Sequence, residues 1–239
     1  FLDEKGEKIS KKKGNGMSIE EWIKYGPSES LLLFMYYTPK KAKRLYYDVI
    51  PKHVDEYLRY LKQFDSQNDI EKLNNPIIHI HNDKIPKAEI DISFSLILNL
   101  VSACQSDDKK IIWNYIKEYM PDIKTSDNPY TDKLVKFSIQ YYKDFVEPNK
   151  KYKKPSKEEK KILEELIDIL KKFKPEVSSE EVQTEIYEFG KKHKYELKDW
   201  FLFLYEILLG QKNGPRLGTF ILLLGIKETI KLIEDSFSR

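Results

Sequence analysis

Between Lys8 and Gly16 the chain reads Lys8-Ile9-Ser10-Lys11-Lys12-Lys13-Gly14-Asn15-Gly16, which sets closely spaced ammonium groups and one hydroxyl on a glycine-bounded stretch without apolar period. This predicts a mobile basic loop. Such a loop can wrap a polyanion and withdraw. Lysine point charges act most strongly where negative charge grows, as on a departing pyrophosphate, and Gly14 and Gly16 let the backbone fold over the phosphates. The plainer alternative for three consecutive lysines is a solvated run that adheres to nucleic acid.

Other reactive residue types carry less. His79 and His81 lack Cys or carboxylate partners at ligand spacing, so no metal site is expected and they read as ordinary histidines near a turn. Cys104 ends an apolar segment and is expected to be a buried small side chain. His193 continues the apolar stripe of its helix, and Trp200, Phe201, Phe203 and Tyr205 crowd one short helix; packing is the expectation for both, with base stacking the alternative for the aromatics.

The elements that must position the loop are helical. Ser18 with Glu21 is a capping-box pattern opening a helix through Trp22 and Ile23. Gly26-Pro27 interrupts it, and Leu31 to Tyr37 forms a second segment that stops before Pro39. After Pro51, apolar Val54, Tyr57, Leu58, Leu61 and Phe64 recur at helical spacing. The polar stretch from Asp65 to Asn75, closed by Pro76, predicts a domain boundary, and Ile77 to Ile80 predicts a short extended piece. Ser93 to Cys104, Asn128-Pro129 with the residues that follow, and two more capping boxes at Ser156/Glu159 and Ser178/Glu181 predict further helices, and the tail adds Trp200 to Leu209 and a last segment to Phe237.

Composition agrees. Of 239 residues, 40% are hydrophobic and 34% charged, which fits a disordered chain poorly and requires long solvated faces. Nine Gly and eleven Pro are few for a many-turned barrel or sandwich. The net charge of +3 decides nothing about partners by itself. The longest apolar runs fall short of the ~20 residues that cross a bilayer. A single cysteine points to a reducing, cytoplasmic setting. The first residue is Phe1, no signal peptide is read there, and the chain is expected to be a piece of something longer. The expected fold class is all-α, divided at residues 1–74 and 75–239.

Lys8-Ile9-Ser10-Lys11-Lys12 followed by Lys13-Gly14-Asn15 resembles the signature loop of the class I aminoacyl-tRNA synthetases, Lys-Met-Ser-Lys-Ser, followed in many members by Lys-Gly-Asn and a helix. Ile9 for Met is a mild swap, whereas Lys12 replaces the final hydroxyl by a charge. Met17 to Phe34 also looks like the segment after that loop. Within the family, Pro51-Lys52-His53-Val54-Asp55-Glu56-Tyr57-Leu58-Arg59, Ile90-Asp91-Ile92-Ser93-Phe94-Ser95, and Leu208 through Gly218 resemble class I lysyl-tRNA synthetases, in the right order along nearly the whole chain.

The resemblance implies a C-terminal half of a lysine–tRNA ligase, with ATP as substrate accompanied by magnesium, and with lysine and lysine tRNA as partners. It implies that Lys8 and Lys11 grip ATP phosphates and that Ser10 bonds phosphate or orders the loop. Residues 1–74 would carry this loop and stem-contact helices, with Lys40, Lys41, Lys43 and Arg44 on the inner side of the tRNA, and 75–239 would be a helical anticodon-binding domain. Lys150, Lys151, Lys153 and Lys154 are weaker candidates for tRNA contact. For Arg216, reading an anticodon base and capping a helix end stay equally open. The family's second ATP motif, His-Ile-Gly-His, is absent here; His79-Ile80-His81-Asn82 follows the loop instead of preceding it and has no glycine, so the fragment alone is expected to be inactive. Glutamyl or cysteinyl relatives, and a non-enzymatic helical RNA-binding module, are the rival readings.

Overall fold

A computed structural model describes residues 1–10, 12–81, 84–89 and 91–239. In chain order the α-helices are α1 (Ile19–Tyr25), α2 (Ser28–Tyr36), α3 (Val49–Phe64), α4 (Asp69–Asn74), α5 (Pro76–His81), α6 (Phe94–Cys104), α7 (Lys109–Tyr119), α8 (Pro129–Tyr141), α9 (Lys157–Leu170), α10 (Ser179–Lys192), α11 (Leu197–Leu208), α12 (Leu217–Leu224) and α13 (Ile226–Ser236). Among the described residues, extended pairing is limited to isolated bridges of Leu2 with Lys8 and with Arg44, so the expected all-α class holds.

The chain packs as two compact units, Phe1–Ile97 with Ser126–Tyr141, and Leu98–Thr125 with Tyr142–Arg239. By packing, residues 75–97 and 126–141 lie in the first unit.

In the first unit, the Ser18 hydroxyl accepts the Glu21 N–H at 3.1 Å and the Glu21 carboxylate accepts the Ser18 N–H at 2.6 Å, which starts α1 as expected. The box seats Trp22, fully buried, whose indole N–H donates to the Ser30 hydroxyl of α2 at 3.0 Å. On α3, Ile50, Val54, Tyr57 and Leu61 form the buried stripe, and Leu33, Tyr57, Leu61 and Ile77 share one cluster.

Within the polar stretch Asp65 to Asn75, Asn68 and Glu71 form a reciprocal cap that starts α4. One sequence expectation fails in this unit. Ile77 to Ile80 is not extended: the Asn75 side chain accepts the Ile77 N–H at 3.0 Å, Pro76 supplies a helical φ, and burial of Ile77 fixes α5.

The second unit is built on α9 to α13. The caps at Ser156 and Ser178 are present, and Leu163, Leu166, Ile167 and Leu170 of α9 and Val182, Ile186 and Phe189 of α10 are buried. Trp200 and Phe203 are buried as expected, while Phe201 and Tyr205 are half-buried; the Trp200 indole donates to the Ile186 carbonyl at 3.0 Å. His193 ends α10 half-buried against the Phe189 ring at 4.5 Å. Where α12 crosses α10, a Cβ at Gly218 would lie 2.0 Å from the Ser179 carbonyl oxygen, and the Gly218 N–H donates to Gln183 Oε1 at 2.9 Å. Only glycine permits that approach. Cys104 is half-buried rather than fully buried, with burial pushing its thiol up to about 12.

Candidate phosphate loop and nucleic-acid interface

The lysine loop is anchored by backbone bonds on both sides. Leu2 donates to the Lys43 carbonyl at 2.8 Å and accepts from Leu45 at 2.8 Å, and Ile9 donates to the Phe1 carbonyl at 3.1 Å. Before the motif, Gly6 at φ +86° turns the chain so that the Glu7 N–H reaches the Asp3 carboxylate at 2.8 Å. After it, Gly14 at φ +61° lets its own N–H and that of Lys13 both reach the Ser10 carbonyl, at 3.1 and 3.2 Å.

Asn15 closes the loop. Its side-chain oxygen accepts the Ser10 N–H at 3.1 Å, and its amide nitrogen donates to Asp3 Oδ2 at 2.8 Å and to the Lys8 carbonyl at 3.4 Å. The Asn15 amide, followed by the Glu7 N–H, holds the Asp3 carboxyl below its usual range. Gly16 passes the Ile9 side chain so closely that a Cβ would sit 2.5 Å from Ile9 Cγ2. The segment expected to be a plain mobile loop is therefore cross-tied. Asn15 belongs to the quoted motif, but its role, and that of Asp3, is invisible in the order of residues.

The charges then sort. Lys8 and Lys12 are exposed and have no ion-pair partner among the described residues, whereas Lys13 pairs with Glu7 at 3.0 Å. The Ser10 hydroxyl accepts the Lys13 N–H at 3.2 Å, which leaves its proton for a ligand oxygen. Lys11 lies outside the described residues. Beside the loop opens a groove of about 680 Å³ whose lining includes Asp3, Glu7, Lys13, Asn15, Glu21 and Tyr47. The Glu21 carboxylate accepts the Tyr47 hydroxyl at 2.7 Å, and burial pushes the Tyr47 phenol up to about 12.

Among the basic candidates, Lys40, Lys41 and Arg44 are exposed. Lys43 is different: its ammonium donates to the Phe34 and Met35 carbonyls, the latter at 3.2 Å, and sits 5.0 Å from the Phe34 ring, with burial pushing its pKa down. It finishes α2, where a cation suits the carbonyl end of the helix. Arg216 directly precedes α12, makes no side-chain cap there, and pairs with Glu180 of α10 at 3.1 Å while half its side chain stays exposed. In the lysine-rich link, Lys150 donates to the Ser102 carbonyl at 2.7 Å and Lys153 pairs with Glu159 at 2.7 Å; Lys151 and Lys154 are exposed.

No group of three or more His, Cys, Asp or Glu side chains among the described residues is disposed to hold a metal ion. His79 stacks on Tyr36 at 5.4 Å, and His81 Nε2 lies 2.9 Å from the Tyr57 hydroxyl; both ride on α5 rather than a turn, and Asn82 lies outside the described residues. No helix among the described residues is long and apolar enough to cross a membrane.

Residues 1–84 match the family model described as tRNA synthetases class I (K), and residues 109–236 match that of an anticodon binding domain. The chain is 49% identical over 238 residues to a lysine–tRNA ligase of Rickettsia bellii (strain OSU 85-389), covering 98% of this chain and 46% of the relative. It is 48% identical over 237 residues to one of Rickettsia felis, covering 98% and 45%. The chain thus spans about half the length of the curated relatives it matches.

Proposed function

We propose that the chain, which belongs to the anticodon binding domain family by its match over 109–236 and matches the class I (K) tRNA synthetase model over 1–84, is the C-terminal half of a lysine–tRNA ligase, which joins lysine to its tRNA with ATP through a lysyl-adenylate. The observation that carries the reading is the cross-tied lysine loop: the Asn15 side chain fixes the backbone at Lys8 and Ser10 while the Lys8 side chain stays exposed and without an ion-pair partner among the described residues.

In the first step the lysine carboxylate attacks the α-phosphorus of ATP and pyrophosphate leaves. Lys8 and Lys11 stabilise the charge that grows on the pyrophosphate, and the Ser10 hydroxyl donates to a phosphate oxygen. Preorganisation by Asn15 lets these donors act without reordering the loop at the moment of reaction. Magnesium travels with the ATP phosphates.

Roles then divide along the chain. Residues 1–74 carry the loop and the stem-contact helices, with Lys40, Lys41 and Arg44 on tRNA phosphates and Lys43 holding the end of α2. Residues 75–239 bind the anticodon arm of lysine tRNA, a reading supported by the anticodon-domain match over 109–236. Arg216 is the candidate for contact with an anticodon base. The setting is the cytoplasm.

The test of the catalytic part uses the full-length ligase and this fragment side by side. Lys11→Ala in the full-length enzyme lowers the adenylation rate far more than tRNA affinity, and the fragment alone shows no lysine-dependent pyrophosphate exchange. Equal losses of rate and affinity, or exchange by the fragment, would refute the assignment.

A further inference from the structure

Within the span proposed above to bind the anticodon arm, the second unit holds a pocket of about 420 Å³. Phe145, Asn149 and Lys151 line one side and Glu206, Gln211 and Lys212 the other. Phe145 sits on a π-helical turn, Tyr142–Val146, a widened turn of the kind that recurs at functional sites, and the 3₁₀ turn Glu147–Asn149 follows it.

The walls are fixed from behind. The Lys151 N–H donates to the Gly210 carbonyl at 2.7 Å and the Lys153 N–H to the Glu206 carbonyl at 3.2 Å, which clamps one wall to the other. Ser102 ties both sides: its carbonyl accepts the Lys150 ammonium at 2.7 Å and its hydroxyl accepts the Gln211 amide at 2.9 Å. Tyr152 packs against Gly210, where φ is +66° and a Cβ would stand 3.2 Å from the ring. Arg239 covers the same ring at 3.9 Å and donates to the Ile207 carbonyl at 2.8 Å.

Against these fixed walls, the side chains of Lys151 and Lys212 are exposed and have no ion-pair partner among the described residues. An aromatic side chain, amides and a carboxylate inside, with two unpaired ammonium groups beside them, match the parts of a single-stranded nucleotide. A base stacks on the aromatic, its edge meets the polar groups, and its phosphates meet the lysines. A volume of this size suits a small organic group rather than a lone ion.

We propose that this pocket receives one unstacked nucleobase of single-stranded RNA, with its flanking phosphates on Lys151 and Lys212. The inference rests on the anticodon reading above and deepens it, since the unstacked bases would be those of the anticodon loop.

The probe is an anticodon stem-loop RNA of lysine tRNA with 4-thiouridine placed in turn at each anticodon position, irradiated with the whole 239-residue chain. At one position the cross-link is expected within residues 142–151 or 206–212. Phe145→Leu, which keeps an apolar side chain but removes the stacking face, is expected to weaken binding about tenfold. Lys151→Gln with Lys212→Gln is expected to lower the slope of log affinity against log salt by about 0.7 per lysine. If Phe145→Leu does not fold, the exposed lysine pair decides.

Cross-links elsewhere, together with an unchanged salt slope, would overturn the pocket. If the unmodified chain then still separates the lysine anticodon from a replaced one, the anticodon reading survives alone. If it binds both stem-loops equally at low and near-physiological salt, both fall together.

Discussion

The side-chain amide of Asn15 donates to the Asp3 carboxylate at 2.8 Å while its oxygen accepts the Ser10 N–H at 3.1 Å, so one residue ties the lysine loop to a position twelve residues earlier. The tie is polar and local. It orders the backbone that displays the lysines without using any of their charges.

Removing the tie is therefore expected to loosen the loop before it affects the fold. In Asn15→Ala, amide hydrogen exchange at Ser10 accelerates, while the amides of α3 keep their protection. Equal acceleration in both would mean that Asn15 supports the whole unit.

The same tie is expected to depend on pH. The Asp3 pKa is depressed from its ordinary 3.8, with the Asn15 bond the first cause, so the contribution is complete above the ordinary value and is lost as pH falls through the depressed one. Following the Asn15 side-chain amide by NMR on acidification should show it released below the ordinary carboxylate range. Release at neutral pH would assign the ordering of the loop to another group.

Gly218→Ala is expected to destabilise the second unit by about 1–3 kcal/mol, because the added methyl meets a backbone carbonyl of α10 that cannot rotate away. Urea unfolding measures it. An unchanged midpoint would show that α10 and α12 separate without cost.

Trp22→Phe keeps an aromatic in the core of the first unit but removes the indole N–H bonded to Ser30, for an expected loss of about 1–3 kcal/mol. Because Ser30 also donates to the Pro27 carbonyl at 2.6 Å, the start of α2 should persist in the variant's amide exchange pattern.

The neighbouring cations should separate by role. Lys40→Ala with Lys41→Ala is expected to weaken tRNA binding and reduce its salt slope by up to about 0.9 per phosphate contact, with melting unchanged. Lys43→Ala should lower the melting temperature, since its ammonium holds the last carbonyls of α2. The reverse pattern would exchange their assignments.

Much of the helical layout was legible because its signals are short-range. Ser18/Glu21, Ser156/Glu159 and Ser178/Glu181 each place a donor and an acceptor three residues apart, and each pair forms. Asn68/Glu71 carries the same signal, but the Asn- and Asp-rich surroundings read as a linker. Ile77, Ile78 and Ile80 favour a strand by residue type, and only the Asn75 cap with the burial of Ile77 against Leu33, Tyr57 and Leu61 makes them helical.

In the site, the lysine motif was legible by composition, and its resemblance led to the family. Its tie was not, because Asp3 and Asn15 meet only once the chain has turned at Gly6 and Gly14. Lys40, Lys41 and Lys43 look alike in sequence. They part company in space, where the chain reverses at Thr38 with φ +44° and brings only Lys43 back onto the end of α2.

On the function proposed above, this chain reads lysine tRNA through its helical second half. The most direct measurement is the affinity of the chain for lysine tRNA and for the same tRNA with its anticodon replaced, each at low and near-physiological salt. A preference for the native anticodon of about 1–3 kcal/mol per recognised base, held at both salts, is the expected result. Equal affinity for the two tRNAs, collapsing together as salt rises, would leave phosphate attraction alone and remove the anticodon role from this chain.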